Sequence, residues 1–458
     1  MDDLRAFTPD RDLPIPRVAD FGDFLWGAAT ASYQIEGAHT ADGKGPSIWD
    51  EFSRRRKIKH GHTGNVACDH YHRYPEDIAL MSELGLQSYR FSIAWPRLLP
   101  DGTLAGGVNQ AGIDFYRKLI TALREAGIRP YATLYHWDLP LALEKRGGWT
   151  WRDITRHFAD YAALCVKSFG DLVDDWIVLN EPFVFVFTGY GVGYHAPGRM
   201  GLRSFLSASH HAMLAQGLGA RAMAAERSGM HVGTTVSTLA GYPARDRAAD
   251  HAALDRQDAF FNRLYVDPVV GRGYPVDSLP VLRKMERFIQ NGDMETVRYP
   301  FDFWGINHYS RAVVRNAWWV PWLRIWQKRM PREATRTAMG WEVYPPGLHQ
   351  VLMKFASYPE IDELYVTENG AAFDDTVGAD GAVNDPERKR YFQQYLAQAL
   401  RAKQDGAPLK GFFYWSLLDN LEWREGYAKR FGIIRVDHET QQRTIKDSGL
   451  WYKEFLAG

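Results

Sequence analysis

Two carboxylates carry the most chemistry in this 458-residue chain. They are Glu181 in Asn180-Glu181-Pro182 and Glu368 in Thr367-Glu368-Asn369-Gly370. Each follows a short apolar, β-branched run, Trp176-Ile177-Val178-Leu179 and Leu364-Tyr365-Val366. A charged residue at the end of a strand-like run lies where a barrel or an open parallel sheet keeps its chemistry. Two such acids could cleave a glycosidic bond if the fold brings the strand ends together. One carboxyl, protonated, would donate to the leaving oxygen; the other, ionised, would attack the anomeric carbon or activate water. Each acid alone also has an ordinary reading. Glu368 could be a strand-end ion pair, and Glu181 an acid at a helix entry ahead of Pro182.

The elements that must position these acids recur along the chain. Short apolar runs fall at 24–30, 88–93, 130–135, 176–180, 231–236, 301–307, 364–368 and 412–417. Amphipathic stretches lie between them at 74–84, 111–126, 151–169, 205–227 and 386–404. Gly85, Gly127 and Gly170 sit where helix C-termini are expected. Strands alternating with helices imply a parallel sheet, and eight repeats imply closure into an α/β fold of (β/α)8 (TIM) barrel type. A doubly wound sheet would have fewer strands. One barrel spanning residues 1–458 is expected, with 1–20 as an N-terminal extension and insertions in the loops of the C-terminal face. The intervals 237–300 and 310–359 are too long for one helix each and belong over that face.

Polar groups repeat at the same end of these runs. Gln34 and Glu36 follow the first, and Arg90 lies inside the second, where an unpaired charge would be costly. His136 and Trp137 end the third, Asn180 and Glu181 the fourth, Asn307 and Tyr309 the sixth, and Glu368 and Asn369 the seventh. Trp415, Glu422 and Trp423 follow the eighth. Amides, carboxylates, imidazole and indole are what a hydroxyl-rich ring with apolar faces requires. Lys+Arg and Asp+Glu are both 55, so no basic face for nucleic acid is indicated. Aromatic residues reach 14%, including 16 Trp, more indole than an ordinary core needs. Only two cysteines occur, Cys68 and Cys165, against a disulfide-stapled secreted domain. The charged start shows no signal peptide, and no run is long enough to span a membrane. The expected location is cytoplasmic. A homo-oligomer is compatible with the sequence.

At this point the chain resembles glycoside hydrolase family 1, the β-glucosidase family, over roughly Phe21 to Phe455. The motifs are Phe24-Leu25-Trp26-Gly27-Ala28-Ala29-Thr30 leading to Gln34-Ile35-Glu36-Gly37, Tyr89-Arg90-Phe91-Ser92-Ile93-Ala94-Trp95, His136-Trp137-Asp138-Leu139-Pro140, Asn180-Glu181-Pro182, Thr367-Glu368-Asn369-Gly370, and Trp415-Ser416-Leu417-Leu418-Asp419-Asn420-Leu421-Glu422-Trp423. The resemblance implies a retaining β-glycosidase acting on terminal β-D-glucosyl residues, with galactosides and fucosides as secondary substrates and no cofactor. It makes Glu181 the acid/base and Glu368 the nucleophile, with Arg90 and Tyr309 bonded to Glu368. Asn180 would hold the 2-hydroxyl. Gln34, His136 and Glu422 would take the remaining hydroxyls, with Trp423, Trp137, Asn307 and Phe431 beside them. Trp415 would lie under the ring, and Trp341 would stack in the leaving-group subsite. A retaining pair should stand about 5–5.5 Å apart. Members acting on 6-phosphoglycosides carry Ser and Tyr at the positions of Glu422 and Phe431. Glu422 would repel a phosphate, despite Lys429. Plant thioglucosidases replace the acid/base by Gln, whereas Glu181 is intact. Leu421 and Ala338 depart from the usual residues, on the leaving-group side. The alternatives are a transglycosylase on the same site and a non-catalytic sugar-binding barrel.

Other motifs point less clearly. Trp318, Trp319, Trp322 and Trp326 lie close together, followed by Lys328 and Arg329. The first reading is a lid packed on the barrel, the second a leaving-group subsite, and the last an interfacial membrane anchor. His60, His62, Cys68, Asp69, His70 and His72 match no common zinc spacing, so no metal is expected. Gly189-Tyr190-Gly191-Val192-Gly193 lacks dinucleotide spacing and reads as a flexible loop. His210-His211 read as helix packing, and no serine-hydrolase elbow occurs.

Overall fold

The computed structural model describes residues 14–458. Most of the expected N-terminal extension lies outside the described residues; Val18–Phe21 form a short turn whose Phe21 packs on Trp26. Eight strands follow: β1 Leu25–Ala29, β2 Ser88–Ser92, β3 Arg129–Tyr135, β4 Asp175–Asn180, β5 His231–Pro243, β6 Phe303–Asn316, β7 Leu364–Asn369 and β8 Leu409–Trp415. Each pairs in parallel with its neighbour in sequence, and β8 closes on β1 with Ala29 opposite Trp415. The chain is a (β/α)8 barrel.

The outer layer comprises α1 His70–Glu83, α2 Gln110–Glu125, α3 Ile154–Phe169, α4 Leu202–Glu226, α5 Ala248–Phe261, α6 Pro346–Ala356, α7 Pro386–Gln404 and α8 Asp447–Ala457. Helix α2 shows how sequence selects a face. Ile113, Tyr116, Ile120 and Leu123 recur at helical spacing and are all buried. Packing buries these residues against the sheet and stabilises the fold by roughly 1.5–3 kcal/mol per large side chain.

Two layers fill the interior. At the lower end, the rings of Tyr131, Phe303, Tyr365 and Phe413 lie 5.0–6.0 Å from one another in the pairs that touch. Gly27 makes room for them, since a Cβ there would stand 2.6 Å from the Phe413 ring. At the upper, C-terminal end the filling turns polar, and there the motifs converge. Strands β5 and β6 run on beyond the barrel as a paired ribbon reaching Pro243 and Val314. This extension occupies part of both long intervals. The facing backbone groups of the two strands pair with each other, and the outer edge of β6 pairs with Ile325–Gln327. The glycine-rich segment differs from expectation. Phe187–Gly191 form a wide helical turn continuing Pro182–Val186, closed at its end by the Val192 amide on the Phe187 carbonyl (2.9 Å).

Candidate active site

Glu181 and Glu368 meet on one rim, the C-terminal end of the barrel. Glu368 lies within β7 opposite Asn307 of β6, and Glu181 follows β4 directly. Both line a cavity of about 760 Å³ together with His136, Trp137, Asn307, Tyr309, Trp341, Trp415, Glu422, Trp423 and Phe431. The Thr367-Glu368-Asn369-Gly370 motif has a local physical reason. Alternation in the strand puts Glu368 into the cavity and turns Asn369 outward, where it donates to the His308 carbonyl (2.6 Å). Gly370 then passes so close to Trp415 that a Cβ would fall 1.7 Å from its carbonyl oxygen. Three cavity residues, Trp137, Glu181 and Trp423, have left-handed backbones at φ 79°, 51° and 44°. Such conformations cost of order 1–3 kcal/mol each and cluster where function aims a side chain.

The two carboxyls are held differently. Arg90 is fully buried. Its guanidinium donates to Glu368 Oε1 (2.7 Å), Asn180 Oδ1 (2.7 Å), Thr133 Oγ1 (3.2 Å) and the Thr367 carbonyl (3.1 Å). The Tyr309 hydroxyl donates to Glu368 Oε2 at 2.7 Å. Glu181 instead receives one amide hydrogen bond, from Asn307 Nδ2 at 3.1 Å, and that amide also donates to Asn180 Oδ1. Thr367 fixes Asn307 by donating to its Oδ1 (2.7 Å). Asn180 and Asn307 thus bind the two acids into one network.

Burial is the largest influence on both acids, and it pushes both above the ordinary carboxylate range. For Glu368 the rise is opposed by Arg90, Tyr309 and Asn307. For Glu181 it is reinforced by the charge of Glu368 and stands well above the usual value. Of the pair, Glu181 keeps the proton and Glu368 gives it up. Arg90 favours the ionised form of Glu368, but burial outweighs it. A Tyr309→Phe variant removes one charge-assisted bond, of about 1.5–3 kcal/mol. Its kcat/KM should fall roughly ten- to hundredfold, and the acid limb of its pH profile should move to higher pH. A profile unchanged on that limb would show that Tyr309 does not tune Glu368.

Gln34 Oε1, His136 Nδ1 and Glu422 Oε2 are among the buried polar atoms here that have no protein partner. Buried polar groups are ordinarily bonded, so the trio marks where a hydroxylated molecule would be held. Asn180 Nδ2 lies 3.1 Å from His136 Nε2. With Nε2 accepting, the proton sits on Nδ1. Burial and Arg90 hold this imidazole neutral, well below its usual pKa. Glu422 is pushed up to about 8 by burial and the charges of Glu368 and Glu425. Gln34 lies behind the cavity wall, its amide donating to Asn420 Oδ1 (2.9 Å) and the Leu421 carbonyl (2.8 Å). The aromatic residues form two groups. His136 stacks on Trp415 at 5.7 Å and Trp137 on Trp423 at 4.5 Å in the depth. Trp341 lies 5.4 Å from Tyr309 and 6.1 Å from Phe431 nearer the mouth.

The geometry brings Glu181, Glu368, Arg90 and Tyr309 together, and the comparisons decide the family. A family model described as Glycosyl hydrolase family 1 matches residues 20–458. The chain belongs to glycosyl hydrolase family 1. It is 44% identical over 442 residues to Beta-glucosidase A of Acetivibrio thermocellus, covering 95% of this chain and 97% of that one. It is also 44% identical over 435 residues to Beta-glucosidase A of Thermotoga maritima, covering 94% and 96%. The solved family 1 β-glucosidase of Thermotoga maritima in complex with isofagomine lactam superposes with a TM-score of 0.91 at 44% identity, covering 95% and 98% of the two chains.

Some sequence candidates for this family 1 site lie elsewhere. Glu36 faces Arg97 (2.8 Å) and Tyr116, away from the main cavity. The histidine- and cysteine-rich stretch is dispersed: His70 pairs with Asp77 (2.7 Å), Cys68 donates to the Asp419 carbonyl (3.1 Å), and His62 accepts from the Tyr427 backbone (3.0 Å). His210 bonds Asp293 and His211 the Trp149 carbonyl, both within α4 packing. Lys429 lines the cavity but donates to the Ala338 carbonyl at 2.6 Å. Other residues were missed. Glu342 and Arg311 form a fully buried bidentate pair (2.7 and 3.0 Å) that ties the Trp341 loop to β6. Ser237 and Thr238 line the cavity from the β5 extension. Their only signal was the long interval itself.

Proposed function

We propose that this chain is a β-glucosidase that cleaves terminal β-D-glucosyl residues from small glycosides and short oligosaccharides such as cellobiose, with net retention. The observation that carries this reading is the unequal treatment of the two acids: Arg90 and Tyr309 grip Glu368, whereas Glu181 has one neutral amide. In the first step the Glu368 carboxylate attacks the anomeric carbon. The C–O bond to the leaving group breaks as Glu181 passes its proton to that oxygen. In the second step Glu181 takes a proton from water, the hydroxide attacks the same carbon, and Glu368 departs. Asn180 would hold the 2-hydroxyl, and Gln34, His136 and Glu422 the others. Trp415 would lie under the ring, with Trp341 against the leaving group. The names of the relatives support the same substrate class.

Galactosides and fucosides are proposed as slower substrates. A 6-phosphate is disfavoured, because Glu422 faces the sugar site and Lys429 is already engaged. A transglycosylase would gain from a Trp-rich lid that excludes water, but Trp318, Trp319, Trp322 and Trp326 are not among the residues that line the cavity. A sugar-binding barrel without chemistry would have no use for the paired acids. The reading also takes the chain as one catalytic domain acting in the cytoplasm, where the buried, unpaired Cys68 and Cys165 stay reduced. No helix among the described residues is long and apolar enough to cross a membrane.

A panel of aryl β-glycosides tests the proposal, with proton NMR following the first sugar released from the glucoside. β-Glucose appearing ahead of α-glucose is the expected result. α-Glucose first would mean inversion and end the covalent mechanism. A faster galactoside would move the substrate class, and an active 6-phosphoglucoside would contradict the assignment of Glu422.

A further inference from the structure

Outside the chemistry described so far lies the hairpin that prolongs β6. The short strand Ile325–Gln327 runs antiparallel to Val314–Asn316, with Trp326 opposite Arg315. The connecting loop is built, not loose. Arg256 of α5 donates to the Leu323 carbonyl (3.0 Å), the Arg324 carbonyl (3.1 Å) and Asn316 Oδ1 (2.9 Å). The Ala317 amide closes onto the Arg324 carbonyl at 3.0 Å. Trp322 reaches Phe260 at 5.8 Å. This frame nevertheless leaves Trp318 79%, Trp319 49%, Trp326 48% and Trp322 39% exposed. The expected lid is therefore absent: the indoles face outward from a fixed scaffold.

Their surroundings are basic. Arg315, Arg324, Lys328, Arg329 and Arg332 are all exposed. None forms an ion pair with a carboxylate among the described residues. Glu333 is the one acid between Val314 and Trp341. The whole chain carries 55 basic and 55 acidic residues, so this concentration is local. Exposed indoles ringed by unpaired cations are the composition of a membrane-interface surface, where the rings sit at headgroup level and the cations meet anionic lipid.

We propose that the Trp318–Trp326 hairpin docks this enzyme on the surface of an anionic phospholipid bilayer. The charge excludes the other occupants. A neutral glucan would want several free amides and carboxylates beside the rings; Asn316 is engaged by Arg256, which leaves Gln327 and Glu333 among five cations. A second copy across a two-fold axis would bring the same cations face to face. Gln327 and Met330, just past the hairpin, line the active-site cavity, so docking would set the cavity mouth beside the bilayer.

The test uses the full chain with vesicles of phosphatidylcholine alone and of phosphatidylcholine with an equal part of phosphatidylglycerol. Co-sedimentation with the anionic vesicles only, a blue shift of tryptophan fluorescence on mixing, and release by salt are expected. Each basic residue near an anionic surface strengthens binding about fivefold. The triple variant Arg324→Gln/Lys328→Gln/Arg329→Gln should therefore bind on the order of a hundredfold more weakly. The double variant Trp318→Ser/Trp319→Ser should lose the blue shift. Both should hydrolyse a small soluble aryl glucoside at the wild-type rate, which shows that the fold is intact. No sedimentation with either vesicle overturns the proposal. So does retention by an insoluble β-glucan that the Trp variant loses, or a dimer that the Trp variant dissolves.

Discussion

Glu368→Ala is expected to lower kcat/KM for aryl β-glucosides by about ten-thousandfold or more, a barrier increase of about 5.5 kcal/mol. The variant loses the covalent route altogether, because no other group on that face of the sugar can take the place of the carboxylate. It also leaves Arg90 without its anion. Removing one partner of a buried pair costs about 3–5 kcal/mol when the remaining charge is uncompensated. Here Asn180 Oδ1, Thr133 Oγ1 and the Thr367 carbonyl still accept from Arg90, so the variant should fold with reduced stability. Azide separates lost chemistry from lost folding. It fits the space of the missing carboxylate, attacks the anomeric carbon from that face, and should restore turnover of an activated glucoside to give the α-glucosyl azide. Wild-type activity in the variant would refute the assignment, and a β-azide product would place the nucleophile elsewhere. A second consequence concerns Glu181. Its carboxyl is raised partly by the charge of Glu368, so its pKa should fall in the variant. A carbon-13 titration of the labelled side chain would read that shift.

Glu181→Gln has the next largest effect, about a hundredfold to ten-thousandfold, the range of a positioned general acid. The loss should depend on the leaving group. A phenol that departs readily as its anion needs no proton, so its glucoside should glycosylate the enzyme almost normally and then stall. A glucoside with a poor leaving group should show the full loss. The wild-type profile should be bell-shaped, its acid limb reporting ionisation of Glu368 and its basic limb loss of the Glu181 proton. The sign follows from burial: both limbs lie above ordinary carboxylate values, and activity falls as pH rises through the Glu181 pKa. In Glu181→Gln the basic limb should vanish while the acid limb remains. Here azide should give the β-glucosyl azide, since Glu368 is intact and still inverts first. A basic limb that survives in this variant would sink the acid/base assignment.

Much of the cavity was legible in sequence, because parallel barrel strands all run toward the same rim. Knowing that Glu181, Glu368, His136 and Asn307 lie where their strands reach that rim is enough to place them together once the strands number eight. Gln34 and Glu36 mark the limit of that inference. They are two residues apart after the same strand, yet one donates to Asn420 behind the cavity wall and the other pairs with Arg97. Their positions depend on the turn of Ser32–Ile35, which no periodicity reveals. The Arg311–Glu342 pair was equally hidden, since ion pairing between distant loops leaves no local pattern.

The sequence by itself determined the strand and helix alternation, the two acids and the family, because apolar periodicity and short motifs are local properties of the chain. Only the tertiary structure decided how the acids differ. Burial, the four acceptors of Arg90 and the single amide on Glu181 are relations between strands, and they set which carboxyl keeps its proton. The tertiary structure also decided the tryptophans' surroundings. Sequence shows an apolar, basic cluster, but whether indoles face a core or the solvent depends on the scaffold beneath them, and Arg256 and the β6 ribbon hold these outward.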